Sequence, residues 1–146
     1  MKRMFGLVLL AALLLAACAP AAAPVEAPVL TVTDGAASKA FSVEDLKALG
    51  TAEVTAKDVT YVGVRLGDLI TAAGFDPAGL AAVKATAADG FSANYEPAQF
   101  TAGDTIVAFA TTGGALSETE GVFRMVLPNE GGKLNVRMLT TLTVIK

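Results

Sequence analysis

The sequence has 146 residues, a net charge of −3 and no histidine, and its single cysteine is Cys18. These features exclude an internal disulfide, histidine-based catalysis and most zinc sites, which depend on cysteine or histidine ligands. A mildly acidic chain also argues against binding to nucleic acid and against adhesion to membranes through charge alone.

The chain begins with a short positive start and an apolar run. Lys2 and Arg3 precede residues 4–17, which are uncharged and mostly leucine and alanine. This run is too short for a membrane-spanning helix of about 20 residues, and the pattern is typical of a secretory signal peptide. Its end, LAAC at residues 15–18, resembles the lipobox of bacterial lipoproteins. The resemblance implies cleavage before Cys18 and lipid on its thiol; the alternative is an unlipidated signal peptide with a chance cysteine.

Residues 18–28 predict a tether. Pro20, Pro24 and Pro28 stand among alanines without apolar periodicity, which favours a semi-extended chain of about 3 Å per residue. The sequence therefore divides into a signal peptide (1–17), a lipidated cysteine with its tether (18–28) and one globular domain (29–146). We expect the mature protein to be held to a membrane of the bacterial cell envelope, outside the cytoplasm.

The first half of the domain predicts alternating strands and short helices. VLTVTD opens as a strand, and FSVEDLKALG is a helix with Ser42 as its N-cap and Gly50 at its end. AEVTA and VTYVGV are predicted strands. RLGDLITAAG has its apolar residues on one helical face and ends at Gly74.

The second half predicts mainly strands. Residues 81–96 form a hairpin around Asp89-Gly90, PAQF a helical turn, and TIVAFA a central strand buried on both faces. VFRMVLP and VRMLTTLTVIK complete the sheet, and by alternation Met125 and Met138 belong to the core. The prediction is a strand-rich α+β domain with a mixed sheet and short helices.

Arg124 lies between apolar neighbours in VFRMVLP. Alternation places it on the face opposite Phe123 and Met125, where a half-buried guanidinium needs a partner because an unpaired buried charge is costly. Glu118 and Glu120 are the local candidates, so a structural ion pair is the expected role. Neither carboxylate has surroundings that favour acid–base catalysis.

Five segments, in order, resemble the oxidoreductase molybdopterin-binding domain of sulfite-oxidase-like proteins. They are FSVEDLKAL, YVGVRLGDLITAAG, ATAADGFSANY, IVAFATTGGALSETEGVFRMVLP and GGKLNVRMLTTLTVI. Together they span nearly all of residues 29–146. The resemblance implies the sulfite-oxidase-like fold.

One segment departs from the family pattern. In catalytic members the strand after the early helix leads to a cysteine that ligates molybdenum, and then to a Gly-Asn-Arg-type loop that holds the cofactor. Here the same region reads TAEVTAKDVTYVGV, without the cysteine or the loop. Lysine or alanine cannot replace a soft thiolate ligand. We therefore expect no catalytic residue, no metal ligand and no cofactor; molybdopterin is implied by the resemblance alone.

The remaining candidate site residues are basic residues and glycines. The resemblance implies that Lys133 and Arg137, with Gly131 and Gly132, lie near the cofactor mouth, where the two cations and the permissive glycine backbone form a candidate site for phosphate or another small anion. Arg65 precedes the second helix and is a candidate for the same site. The alternative for all three basic residues is that they are solvated charges at strand ends or in a loop.

Three functions remain open. The first is a lipid-tethered, non-catalytic module that binds a small anionic ligand or serves an envelope redox or transport protein. The second is a molybdopterin-dependent oxidoreductase with a reduced cofactor site. The third is a structural lipoprotein of the cell envelope. Metal and pterin analysis of protein from its own host separates the first two.

Overall fold

The computed structural model describes residues 26–146, so the predicted signal peptide, Cys18 and most of the predicted tether lie outside the described residues. Each predicted strand and helix is present. The strands are β1 (Leu30–Thr33), β2 (Ser38–Phe41), β3 (Ala52–Ala56), β4 (Val59–Arg65), β5 (Ala82–Ala87), β6 (Ser92–Tyr95), β7 (Ile106–Thr111), β8 (Gly114–Ala115), β9 (Arg124–Val126) and β10 (Leu139–Ile145). The helices are α1 (Val43–Ala48), α2 (Leu66–Ala72) and α3 (Pro97–Phe100), with a 3₁₀ turn at Pro77–Gly79.

The strands form two sheets, where the sequence had suggested one. Sheet 1 has the order β2-β1-β10-β5-β6 and is mixed, because β1 and β10 run parallel while its other pairs are antiparallel. Sheet 2 has the order β3-β4-β7-β8, with β9 also paired to β7, and is antiparallel. Alternation shows that a strand has a buried face but does not identify its neighbours, so the division into two sheets was not predicted.

The main core contains side chains from both sheets and from all three helices. Strand β7 is buried on both faces, as predicted: Val107 and Phe109 join the main core, while Ile106 and Ala108 join a second cluster on the opposite face of sheet 2. Because β7 pairs with β4, β8 and β9, it fixes the position of every strand of sheet 2 except β3.

Helix α1 has the predicted N-terminal cap. The Ser42 hydroxyl accepts a hydrogen bond from the Asp45 amide at 3.2 Å, and the Asp45 carboxylate accepts one from the Ser42 amide at 2.8 Å. This reciprocal pair satisfies two backbone donors that would otherwise lack partners. Gly50 follows the helix with a φ of +97°, a conformation that glycine adopts without steric cost.

Met138 is the clearest error of the strand prediction. It is 40% exposed rather than buried, and its φ is +50°. The left-handed residue lies just before β10, which begins at Leu139, so strand alternation does not extend back to Met138. Strand β2 was also not predicted, because three of its four residues are exposed and it merges with the cap of α1. Within residues 26–146 every helix is too short or too polar to cross a bilayer.

Candidate functional site

A cavity of about 160 Å³ lies between the β3–β4 turn and the long connection from β9 to β10. We refer to residues 127–138 as the β9–β10 loop. Both sheets meet this loop, because β9 belongs to sheet 2 and β10 to sheet 1. The cavity is lined by Ala56, Lys57, Val59, Tyr61, Glu120, Arg124, Leu127, Pro128, Glu130, Gly132, Asn135 and Arg137.

The β3–β4 turn forms one rim of the cavity. Ala56 pairs with Val59, so only Lys57 and Asp58 connect the two strands. Both residues have positive φ angles, +49° and +66°, which is the backbone of a type I′ hairpin turn. A two-residue turn of this type closes the hairpin directly, so the cofactor-holding loop of catalytic family members is absent between β3 and β4. The turn places the Lys57 side chain at the cavity, a position that the sequence analysis did not identify.

The Asn135 side chain holds the β9–β10 loop together through hydrogen bonds to the loop backbone. Its side-chain oxygen accepts a hydrogen bond from the Leu127 amide at 2.8 Å, and its amide nitrogen donates to the Leu127 carbonyl at 3.2 Å and to the Gly131 carbonyl at 3.3 Å. The Tyr95 hydroxyl, whose pKa is raised by burial, donates to the Leu134 carbonyl at 2.6 Å. These bonds hold the loop against the core, so Gly132 and Arg137 are fixed beside the cavity.

The cavity floor is an ion pair with a tyrosine. Arg124 is only 7% exposed; its guanidinium donates to the Glu120 carboxylate and, at 3.0 Å, to the Tyr61 hydroxyl. It also lies over the Tyr61 ring, 4.6 Å from the ring centre. This confirms the predicted ion pair and identifies Glu120, not Glu118, as the partner.

The pKa values of this group follow from its contacts. Burial raises the pKa of Tyr61, partly opposed by the positive charge of Arg124. Burial alone would also raise the pKa of Glu120, but hydrogen bonds from Ser117, Arg124 and Tyr61 outweigh it and lower that pKa to about 2. Glu120 therefore stays ionised at neutral pH and balances the charge of Arg124.

Two other cations line the cavity, Lys57 and Arg137. Within residues 26–146 neither side chain has a hydrogen bond or an ion pair, whereas Glu130, the second acidic residue of the lining, accepts a hydrogen bond from Gln99. Once Arg124 and Glu120 are counted as a neutral pair, the lining holds two cations and one carboxylate. The cavity consequently favours a small anion.

The structure brings together only part of the predicted site. Arg137 and Gly132 line the cavity, and Gly131 is held next to it through its carbonyl; Lys133 is exposed in the same loop but not in the lining. Arg65 is placed elsewhere, because its position at the end of β4 directs it to Gly103, whose carbonyl accepts a bond from its Nε at 3.2 Å.

A second depression, of about 340 Å³, adjoins the cavity. The two share Gly132, Asn135 and Arg137, so Arg137 lies in the wall between them. The second depression also contains the exposed side chains of Phe91 and Met138.

The donor set does not fit the thiolate-ligated molybdenum that the resemblance implies. Residues 26–146 contain no cysteine, and they contain no group of three or more acidic, cysteine or histidine side chains placed to hold a metal. Where a cysteine and a cofactor-gripping loop would follow β3, the chain has the two-residue turn at Lys57 and Asp58. A cavity of about 160 Å³ is also smaller than the roughly 300–1,000 Å³ of most cofactor and ligand pockets.

Comparison with known proteins supports the fold. A family model described as the oxidoreductase molybdopterin binding domain matches residues 25–146. The chain is also similar to the sulfane dehydrogenase SoxCD of Paracoccus pantotrophus, with a TM-score of 0.64 and 21% sequence identity. That match covers 81% of this chain but only 38% of the solved chain, so it concerns the fold of one part of a longer protein. No curated protein sequence matches this chain.

Proposed function

The chain belongs to the oxidoreductase molybdopterin-binding domain family, and from this premise we propose that it is a lipid-tethered, non-catalytic module that binds a small anionic ligand. The observation that carries the proposal is the pair Lys57 and Arg137, two cations of the cavity lining without acidic partners among residues 26–146. A phosphate-sized anion between them would accept charge-assisted hydrogen bonds from both.

The absence of catalysis is proposed from the side chains at the cavity. Glu120 is held ionised by its hydrogen bonds, and Arg124 is engaged with Glu120 and Tyr61, so neither is poised to transfer a proton at neutral pH. The molybdenum-ligating cysteine and the cofactor-holding loop of catalytic family members have no counterpart at the β3–β4 turn. What remains is a rigid floor and two cations, which suits binding better than turnover.

The tether is proposed from the sequence alone. Cys18 in the lipobox-like LAAC segment would carry the lipid, and residues 19–28 would link it to the domain outside the cytoplasm. A module held at a membrane in this way would present its ligand to an envelope redox or transport protein.

The test is binding of inorganic phosphate, measured by calorimetric titration. We expect Lys57→Ala and Arg137→Ala each to weaken phosphate binding about tenfold or more, since one charge-assisted hydrogen bond is worth about 1.5–3 kcal/mol. Lys133→Ala, in the same loop but outside the lining, should have a smaller effect. Lys84→Ala is the matched control, because Lys84 is exposed on β5 away from the cavity.

Unchanged phosphate affinity in both cavity variants, or an equal loss in Lys84→Ala, would contradict the proposed site. Absence of any phosphate binding would favour the structural-lipoprotein alternative.

Family membership itself supports a second candidate, a molybdopterin-dependent oxidoreductase with a reduced site. Molybdenum and pterin analysis of protein purified from its host distinguishes it from the binding module. We expect neither in stoichiometric amount. Near-stoichiometric molybdenum would overturn the non-catalytic proposal.

A further inference from the structure

Exposed apolar side chains are concentrated at one end of sheet 1. Seven large hydrophobic residues are exposed within residues 26–146, and four of them, Val29, Phe91, Val122 and Met138, lie at this end, each 40–48% exposed. We call these four residues the tether-side surface. An apolar surface of this kind on an otherwise acidic domain needs an explanation other than core packing.

The topology of sheet 1 places three of these residues in one row. β1 and β10 run parallel as neighbours, so Val29, just before β1, and Met138, just before β10, lie at the same end of the sheet. β5 runs antiparallel beside β10 with Ala87 opposite Leu139, so the β5–β6 turn that ends in Phe91 lies there as well. Neighbouring strands are about 4.8 Å apart, so the row extends over about 15 Å.

Val122 is brought to the same end by the segment that precedes β9. The Met138 amide donates to the Glu120 carbonyl at 2.7 Å, and the Leu139 amide donates to the Phe123 carbonyl at 2.8 Å. Gly121 lies so close that a Cβ on it would be 2.8 Å from the Met138 Cα. Val122 is therefore held beside Met138 by backbone contacts on both sides.

The chain enters the domain at this end. Residues 26–29 are exposed and lead directly into β1. From Cys18 to Val29 the chain advances 29 − 18 = 11 residues, which span about 33 Å at about 3 Å per residue. A lipid on Cys18 would therefore be linked to the domain at the tether-side surface, and the tether is short enough to keep that surface within reach of the bilayer.

We propose that the tether-side surface lies on the phospholipid membrane that anchors the chain, with Phe91 and Met138 in the headgroup region. The inference rests on the proposed lipid anchor. Anchoring makes the contact intramolecular, with an effective concentration in the millimolar range, so a weak surface suffices. The nearby charges, Lys133 and Arg137 against Asp89, are mixed, so apolar contact drives the association and salt has little effect on it.

This orientation also determines what reaches Arg137. The depression that contains Phe91, Met138 and Arg137 opens on the tether-side surface, so it faces the lipid. The guanidinium then lies at the depth of the lipid phosphates, and the depression is closed to large soluble ligands.

The chain contains no tryptophan, so a single introduced tryptophan reports its own position. The experiment uses the chain from Cys18 onward, coupled through its only thiol to a maleimide lipid in phosphatidylcholine vesicles with brominated acyl chains. Three variants are compared: Phe91→Trp and Met138→Trp at the tether-side surface, and Ile145→Trp as control. Ile145 is also 40% exposed but lies at the opposite end of β10.

We expect tryptophan fluorescence at positions 91 and 138 to shift to the blue and to fall about twofold with brominated lipid, because indole prefers the membrane interface. The control should change by less than a tenth as much. Equal quenching in all three variants, or none in any, overturns the proposal. A blue shift that depends on protein concentration without lipid assigns the surface to a second copy and overturns it as well.

Chemical coupling separates this inference from the proposed function. It attaches the lipid at Cys18 whether or not the host acylates that residue, and phosphate titration reports the cavity independently. Lipid contact without phosphate binding would support the membrane orientation and contradict the anion-binding function. Phosphate binding without lipid contact would support the anion-binding function and contradict the membrane orientation.

Discussion

At the scale of single residues, Glu118 and Glu120 can be compared directly, because they lie two apart in one turn and, within residues 26–146, only the Glu120 side chain forms hydrogen bonds and an ion pair. Glu120→Ala would leave Arg124 buried without a counter-charge. We expect the free energy of unfolding to fall by about 3 kcal/mol, the low end for a buried pair because Glu120 is partly exposed. Glu118→Ala should change it by less than about 0.5 kcal/mol. Urea denaturation measures the free energy of unfolding of both variants. A loss in Glu120→Ala no larger than that in Glu118→Ala would show that the ion pair does not stabilise the fold.

The lowered pKa of the Glu120 carboxylate predicts that the protein loses stability in acid. The pKa of Glu120 falls from its ordinary 4.5 to about 2 in the folded chain. A lowered folded pKa contributes stability that is complete above about pH 4.5 and is lost as the pH falls toward 2. Asp34, whose pKa is lowered to about 2 chiefly by its hydrogen bond to Lys146, acts in the same range.

We therefore expect the melting temperature to fall across this pH range and to fall less in Glu120→Gln, which retains the contributions of Asp34 and of Asp45, whose pKa is lowered by its hydrogen bonds with Ser42. Thermal denaturation followed by circular dichroism at several pH values measures the difference. Parallel curves for the two proteins would show that Glu120 is not linked to folding.

The role of a residue could be predicted from the sequence where its neighbours along the chain determine that role. Arg124 alternates with apolar neighbours and has acidic residues four and six positions earlier, so its ion pair followed from the sequence. Lys57 and Arg137 are 80 positions apart and share the cavity only because of the two-residue turn and the Asn135-held loop. Alternation carries no information on either, and for that reason Lys57 and Asn135 were missed.

At the scale of elements, Gly63 shows how closely β4 and β7 approach each other. The pairing of these strands shifts register between Val62 and Gly63, and a Cβ on Gly63 would lie 2.1 Å from the Val107 carbonyl oxygen. Backbone must move to admit it, so Gly63→Ala should lower the free energy of unfolding by about 3 kcal/mol.

Gly79→Ala is the control, since no atom lies within 4 Å of a Cβ there. Chemical denaturation of both variants measures the effect, and a Gly63→Ala protein as stable as the control would show that sheet 2 pairs more loosely than described.

Most elements followed from the sequence because each has a local signal. Ser42 and Gly50 mark the ends of α1, and the run in β7 marks a strand buried on both faces. The division into two sheets has no such signal, because it depends on which strand lies beside which. The parallel β1–β10 pair joins residues 141 − 31 = 110 positions apart, and no local pattern in either strand indicates that pairing.

At the scale of the whole molecule, the prediction concerns the anchor. We expect the native chain to fractionate with membranes and to carry lipid on Cys18. Cys18→Ser should leave unprocessed precursor without acyl chains, because the thiol is the acceptor. Mass spectrometry and membrane fractionation measure both. An unmodified, freely soluble mature protein from the native sequence would contradict the anchor.

The parallel pairing of β1 with β10 has a consequence for how the protein is made. β1 lies inside sheet 1, between β2 and β10, so one of its two edges stays open until residues 139–145 have emerged. Closing so long a loop is entropically costly and slow. The N-terminal half cannot complete its sheet during synthesis. Sheet 1 therefore closes only after synthesis is almost complete, so the N-terminal strands cannot reach their final pairing while the chain is still leaving the ribosome.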